Sequence, residues 1–329
     1  MHRPLTTEPA LAPDPKRLRT IQRATMVDQR LAKATSRYVA GLFWFQRQFL
    51  RYYFMAPPRW RVLLRTGLAR KRMLPGFASL GAVRSGTTAF ADYLMQHPCV
   101  VLPLAKEVGM GTQVGWRAIE AQFPSLREKA MVERKYGMAV TGYCTPVLPS
   151  LLFPFLASAM MPRLKILLLL RNPIERTFSH WRWDQALSSR ISTDPLWRNA
   201  PDFDEIVRLE IGALESKATS GFSCLAGANC GGYVQHSIYL PFLKTLFRFY
   251  DRKDAMVINS ADFFADPPGV AKDAYRFLGL PDYEPAELPV RNAGPKKKLA
   301  PATRRQLADF FEPLNEELYA FLGRDLGWR

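Results

Sequence analysis

Between Gly81 and Thr88 the chain reads Gly-Ala-Val-Arg-Ser-Gly-Thr-Thr, directly after an apolar run and directly before the helical run Ala89, Phe90, Tyr93, Leu94. A strand, a glycine-containing turn and a helix N-terminus in that order make an anion cradle, because free backbone N–H groups and the positive end of the helix dipole converge there. The interval from Gly81 to Gly86 matches the phosphate-loop pattern G-x-x-x-x-G-K-[ST], except that Thr87 stands in place of the lysine. A nucleoside triphosphatase needs that lysine on its terminal phosphates, and here the cation has moved back to Arg84. The loop therefore suits a phosphate-like group, while a P-loop kinase, which also needs an acidic magnesium partner, is the weaker alternative. A tight turn with incidental glycines is the plain alternative, and the strand-to-helix context speaks against it.

A second segment fits the first. Leu167-Leu168-Leu169-Leu170-Arg171-Asn172-Pro173 reads as a buried strand ending in a cation, followed by Asn172 as a helix N-cap and Pro173 in the first helical position. Arg171 then emerges at the carboxyl end of a strand, where open α/β sheets bind ligands. Ser179, six residues past Pro173, can return toward the same anion. An Arg-Asn-Pro turn alone is equally well explained by a structural ion pair; beside the loop at Gly81 it supplies a second anion site at a second strand end.

Gly81 to Thr88, continued through His97-Pro98 and Lys106-Glu107, resembles the 5′-phosphosulfate segment of sulfotransferases that use 3′-phosphoadenosine-5′-phosphosulfate (PAPS). Leu170 to Ser179 is similar to their 3′-phosphate segment. Gly231-Gly232-Tyr233, Phe277 to Leu280 and Gly323 to Trp328 resemble the bacterial and heparan-sulfate-type branch in a supporting way. The resemblance runs from about Phe77 to the C-terminus and leaves residues 1–72 without a counterpart. It implies that Arg84 contacts the bridging region of the phosphosulfate, that Ser85, Gly86, Thr87 and Thr88 hold the 5′-phosphate, and that Arg171 and Ser179 hold the 3′-phosphate. It also implies transfer of a sulfuryl group by in-line displacement to a hydroxyl or amine of a glycan or small metabolite, leaving 3′-phosphoadenosine-5′-phosphate (PAP), without a metal.

The acceptor side needs a base, and the resemblance points to Glu107 in Lys106-Glu107, with a solvated Lys-Glu pair on a loop as the plain alternative. Histidine is the base in other branches, and the chain has His2, His97, His180 and His236. His2 and His97 read as structural, whereas His180 and His236, the latter placed on a helix, remain open as bases. Two departures mark this chain: Tyr143-Cys144 stand where relatives often carry Glu-Lys before Thr145-Pro146, and Gly109-Met110-Gly111 replace an aromatic after Lys-Glu. Gly294-Pro295-Lys296-Lys297-Lys298 is similar in place to a basic loop over the cofactor, which makes Lys296 and Lys298 candidate cofactor contacts; a solvated turn is the alternative. Trp181, Trp183 and Trp197 offer flat faces to a sugar or simply pack in the core. Cys224 and Cys230 bracket a glycine-bearing loop that reads as a lid or an ordinary surface connection.

These residues need a scaffold. After Pro75, short apolar runs at Phe77–Val83, Val100–Leu102, Lys165–Leu170 and Ala255–Asn259 alternate with segments of helical period. That pattern predicts an α/β fold, a P-loop-type, mostly parallel sheet flanked by helices. Pro301–Leu322 has apolar residues at helical spacing interrupted by Pro313, which predicts a kinked helix or two short ones. Of 329 residues, 48% are hydrophobic, enough for a core and against a disordered chain. The domain is placed at residues 73–329, behind a basic extension of residues 1–72. The first thirty residues, rich in proline and charge, are expected to be disordered, and an amphipathic helical arm is expected to follow.

The net charge is +17, and residues 1–72 hold sixteen basic and three acidic side chains, which leaves the remainder nearly balanced. A polyanion- or membrane-surface-binding protein is thus the rival from a different class. Aromatics and arginines interleave over residues 36–72, so peripheral contact with an anionic membrane is an expectation for that stretch, and nucleic acid is not. Four cysteines without a CxxC pair argue against a disulfide framework or zinc. Neither a spanning run nor a signal peptide is recognised. The expected location is the cytoplasm, with the inner membrane face as the place of any peripheral contact.

Overall fold

In the strand Lys165–Leu170 every residue from Ile166 onward is buried, as a run of isoleucine and leucine demands of a strand covered on both faces. The computed structural model describes residues 11, 14–33, 37–48, 50–53, 57–108, 115–148, 150–191, 202–216, 232–288 and 298–328. Its elements begin with α1 (Pro15–Lys33), α2 (Arg37–Gln48), α3 (Arg59–Thr66), β1 (Phe77–Ala82), α4 (Thr87–Leu94), α5 (Trp116–Glu120) and α6 (Leu126–Tyr136). They continue with β2 (Gly142–Leu148), α7 (Leu152–Met160), β3 (Lys165–Leu170), α8 (Pro173–Ile191), α9 (Phe203–Glu215) and α10 (Leu240–Leu246). The last are β4 (Ala255–Asn259), α11 (Ser260–Ala265), α12 (Pro267–Leu278) and α13 (Pro301–Leu322).

The four strands pair in parallel in the order β2-β1-β3-β4. Alternation divides their side chains between two cores. Ala78, Leu80, Ala82, Ile166, Leu168 and Leu170 pack on one face, and Phe77, Cys144, Leu167, Leu169 and Ile258 on the other. From β1 the chain goes first to β2 on one side and then to β3 on the other. The strand order therefore reverses between β1 and β3, and the crevice outside their carboxyl ends is where a sheet of this kind binds ligands. Because Leu168 is fully buried in an inner strand, Leu168→Ala should cost about 2–5 kcal/mol in urea unfolding without altering the loops at the strand tips.

Several expectations need correction. Val100–Leu102 is not a strand: Val100 makes an isolated bridge with Val140, and Pro98 and Pro103 bracket the segment so closely that no ladder can extend. The strand beside β1 is instead β2, which tolerates Pro146 because it lies at the sheet edge. Of the two forms expected for Pro301–Leu322, one helix or two short ones, the structure has the single helix, with Pro313 inside it. Of the first thirty residues, expected to be disordered, 1–10, 12 and 13 lie outside the described residues, and from Pro15 the chain forms α1, with Ile21, Ala24 and Val27 in a buried stripe. Arg17 anchors α1 to the body by donating to Met95 O and Val100 O. Isolated bridges Leu11↔Tyr283, Tyr53↔Ala105 and Arg72↔Ser125 also join residues 11–72 to the rest.

Candidate functional site

The loop from β1 to α4 contains two left-handed residues, Arg84 at φ 76° and Gly86 at φ 90°. For arginine that conformation costs about 1–2 kcal/mol and needs outside support. Three elements provide it through successive carbonyls. Arg176 NH1 of α8 donates to Val83 O at 3.3 Å, Arg171 NH1 at the tip of β3 donates to Arg84 O at 2.8 Å, and Ser260 Oγ of α11 donates to Ser85 O at 2.7 Å. Since each peptide is planar and trans, holding a carbonyl on one side turns the following N–H to the other. Among the described residues no side chain caps α4, whereas α6 has a complete capping box from Ser125 and Glu128. The first turn of α4 is left to offer its N–H groups and dipole to an anion.

Close approach requires glycine at 81, and the left-handed backbone favours it at 86. A Cβ on Gly81 would lie 2.5 Å from the methyl group of Thr87 and 3.1 Å from Leu169 O. One on Gly86 would lie 2.9 Å from the ring of Phe264. Thr87 is buried, with its methyl against Gly81, at the position where a kinase would extend its lysine.

Two cations face this crevice. The Arg84 guanidinium lies over Trp183, 4.5 Å from the ring centroid, and that of Arg171 lies 5.9 Å from the centroid of Phe264. Burial, then the neighbouring Arg171 and Arg182, holds Arg84 down to about 10, while Asp184 pulls the other way. Burial likewise lowers Arg171, with Glu175 and Tyr239 opposing and Arg182 adding to the effect. Both stay charged at neutral pH. A cluster of partly desolvated, mutually repelling guanidinium groups gains most from a bound anion.

Lys106 and Glu107 sit beside the same loop. Lys106 Nζ is 2.6 Å from Glu107 Oε1 and donates to Thr88 Oγ1 at 3.3 Å. Its backbone is clipped from both sides, the N–H donating to Tyr53 O and the carbonyl accepting from Cys144 N, each at 2.9 Å. Lys106 is 1% exposed and Glu107 34% exposed, so the pair is not a solvated loop pair: a buried ammonium fixes one carboxylate oxygen and the carboxylate opens to solvent.

The histidines differ from one another. His97 Nε2 donates to Pro281 O at 2.9 Å and its Nδ1 accepts from Cys99 N at 3.1 Å, a structural role. His180 Nδ1 lies 3.3 Å from Arg176 NH1 and its Nε2 lies 3.6 Å from Asp184 Oδ2. Burial and then Arg176 push His180 far below the usual imidazole range, and the same two causes lower His236 to about 4. Both rings are therefore neutral at neutral pH. His236 occupies a 3-10 turn, Gln235–Ser237, rather than an α-helix.

Ser179 is buried in α8 without a side-chain hydrogen bond to the described residues of the loop. Lys298 is exposed, and Lys296, His2, Trp197, Cys224, Cys230 and Gly109 to Gly111 lie outside the described residues. Trp181 packs in the core against Phe178 and Phe203. Trp183 lies at the crevice, beneath the Arg84 guanidinium.

Arg176, which lies within the segment Leu170 to Ser179 without a role assigned to it, and Arg182 and Asp184 beyond that segment belong to the surroundings of Arg84. Arg176 is fully buried, donating also to Ser237 Oγ at 2.6 Å and to Tyr233 O. Asp184 Oδ2 accepts from Tyr233 OH at 3.0 Å. Burial raises Asp184 to about 6, against the Tyr233 hydrogen bond and the charges of Arg84 and Arg176. The available signal was spacing: Arg176 and His180, one turn apart on α8, follow Arg171 closely. Among the described residues no three His, Cys, Asp or Glu side chains converge as a metal centre requires.

Residues 80–293 match the family model described as Sulfotransferase domain. Among curated proteins the chain is similar to membrane-associated sulfotransferase kil1 of Dictyostelium discoideum, 23% identical over 326 residues and covering 78% of this chain and 67% of that protein. It is also similar to heparan sulfate glucosamine 3-O-sulfotransferase 3B1 of Mus musculus, 22% identical over 287 residues and covering 79% of this chain and 66% of that protein. The chain thus spans about two thirds of the length of each. In fold it is similar to a sulfotransferase from Alicyclobacillus acidocaldarius, with a TM-score of 0.53, 22% identity and coverage of 77% of this chain and 97% of that one.

Proposed function

The chain belongs to the sulfotransferase family, and from that membership we propose that it transfers a sulfuryl group from PAPS to a hydroxyl or amine of a glycan or small metabolite. The observation that carries the reading is the hydrogen bond from Arg171 to the carbonyl of Arg84, which makes one crevice of two strand tips 87 residues apart. The residues fit a nucleotide bearing two separate anionic groups: an uncapped α4 with carbonyls drawn away from it on one side, and a half-buried guanidinium at the tip of β3 on the other. PAPS, when bound, supplies an activated sulfuryl group on a phosphate leaving group.

Each residue then has a task. Ser85, Gly86, Thr87 and Thr88 hold the 5′-phosphate through backbone and hydroxyl donors, and Arg171 holds the 3′-phosphate, with Ser179 retained as a secondary contact. Arg84 stabilises negative charge on the leaving oxygen, and its stacking on Trp183 fixes the direction of the guanidinium. Glu107 takes the acceptor proton, and Lys106 fixes the carboxylate and ties it to Thr88. Lys296 and Lys298 remain candidates for closing over the cofactor. The named activity of the mouse relative on heparan sulfate glucosamine supports a sugar hydroxyl as the acceptor class. The free, buried thiols of Cys99 and Cys144 suit a reducing compartment, in keeping with a cytoplasmic location.

The test is calorimetric titration with PAP. A charge-assisted hydrogen bond is worth roughly 1.5–3 kcal/mol, so Arg171→Ala should weaken PAP about 10- to 150-fold. Unchanged affinity removes the 3′-phosphate clamp, and absence of sulfuryl transfer from PAPS to any hydroxyl or amine acceptor in a sugar and phenol panel removes the reading itself.

A further inference from the structure

Helix α3 is built inside out. Its sequence, Arg-Trp-Arg-Val-Leu-Leu-Arg-Thr, contains no buried residue, yet Arg61 and Arg65 bond to the body while Leu63 and Leu64 stay exposed. Arg61 NH1 donates to Leu50 O and, at 2.8 Å, to Tyr53 OH; Arg65 donates to Ala121 O at 2.7 Å and to Phe123 O at 2.8 Å. Four hydrogen bonds thus hold the helix against the body by its charged side. The helix also presents Trp60, Leu63 and Leu64, the two leucines being 71% and 75% exposed, and Leu68, just past its end, is exposed as well. Leu63 and Leu64 stand three and four residues after Trp60, which places the three on one stripe of the helix. The indole N–H of Trp60 donates to Gln48 Oε1 at 2.9 Å, which joins the stripe to α2, where Leu42, Trp44 and Phe45 are exposed.

Scattered exposed leucines need no explanation, but a contiguous apolar stripe on an anchored helix marks a surface that something covers. The charge around it selects the occupant. Arg59, Arg70 and Lys71 are exposed beside the stripe, and there is no Asp or Glu anywhere between Asp28 and Asp92. A second copy of this chain would bring the same uncompensated cations face to face. A surface with apolar depth and anionic headgroups answers both features, since leucine and tryptophan enter the acyl boundary while arginine and lysine stay with the lipid charge.

We propose that α3, with the exposed end of α2, docks the protein on an anionic lipid bilayer. No helix among the described residues is long and apolar enough to cross a membrane, so the contact is peripheral. The docking face is tied to the acceptor side of the crevice: the tyrosine that accepts from Arg61 also offers its carbonyl to the N–H of Lys106. The proposal does not depend on the reaction assigned above.

The experiment is flotation of the full chain with vesicles of phosphatidylcholine alone or with 30% phosphatidylglycerol. The chain should float with the anionic vesicles and not with the neutral ones, and part of the binding should survive roughly 0.5 M salt because apolar burial is not screened. Leu63→Ser/Leu64→Ser, at exposed positions and checked by circular dichroism and melting temperature, should lower partitioning at least about tenfold. Arg70→Gln/Lys71→Gln should lower it at low salt. Absence of flotation overturns the proposal, as does binding that is abolished by salt and indifferent to the two leucines, which would describe a general polyanion surface. A micromolar dimer in sedimentation that the serine variant dissolves, without vesicle binding, would assign the stripe to a second copy, and capture only by an acidic protein would assign it to that partner. Either result overturns the lipid assignment.

Discussion

Glu107→Gln should lower turnover by about two to four orders of magnitude while leaving the affinity for PAP within about twofold, because general-base catalysis contributes on that scale and the nucleotide is held elsewhere. Glutamine is the informative replacement. Lys106 is buried and spends one donor on Glu107 Oε1, and an amide oxygen still accepts from it. Glu107→Ala would instead leave a buried ammonium without its carboxylate, at about 3–5 kcal/mol of stability, and would confuse unfolding with lost chemistry. A second readout separates a base from a merely structural carboxylate: the defect should shrink as the acceptor hydroxyl becomes more acidic, since a phenol surrenders its proton with less help than an alcohol. Single-turnover rates over a series of substituted phenols and sugars measure this. A variant as fast as the parent on alcohols removes Glu107 from the role. Full activity would pass the role to another group, and His180 and His236, both buried beside Arg176 and neutral at neutral pH, are the next to be replaced.

What could be read from the chain before its fold was known divides along a physical line. The loop at Gly81 was legible because strand, glycine turn and helix start are local, and β3 was legible because five consecutive branched apolar residues admit few other environments. Arg171 followed from its position after that strand. The meeting of the two tips is a consequence of strand order, β2-β1-β3-β4, which no local pattern encodes. Lys106-Glu107 read equally well as a solvated pair, and what buries the lysine is the clip between Tyr53 and Cys144, contributed by segments far apart in the chain. Helix α1 was missed for the converse reason: its charged composition outweighed the Ile21, Ala24, Val27 stripe, which acquires meaning only against the body that covers it. Arg176 carries a charge that composition assigns to the surface, yet it is fully buried because carbonyls of Val83 and Tyr233 and the Ser237 hydroxyl wait for it.

Arg84→Gly should separate stability from catalysis. The backbone of Arg84 lies at φ 76°, which glycine adopts without penalty. Relief of about 1–2 kcal/mol of left-handed strain, together with removal of a cation from the neighbourhood of Arg171 and Arg182, favours the variant. Against it stand the contact with Trp183, worth about 0.5–1 kcal/mol, and the greater freedom of glycine in the unfolded chain, worth about 0.4–1 kcal/mol. These terms nearly cancel, so urea unfolding should shift by no more than about 1 kcal/mol in either direction. Turnover has no such compensation: removing a preorganised group from the charge that develops on the leaving oxygen costs about 10²- to 10³-fold, or roughly 2.7–4 kcal/mol of barrier. A folded, equally stable and nearly inactive protein is therefore the expected result. A variant that loses several kcal/mol of stability would show Arg84 to be a structural clamp, and one that keeps full turnover would leave the strained arginine without a catalytic reason to be there.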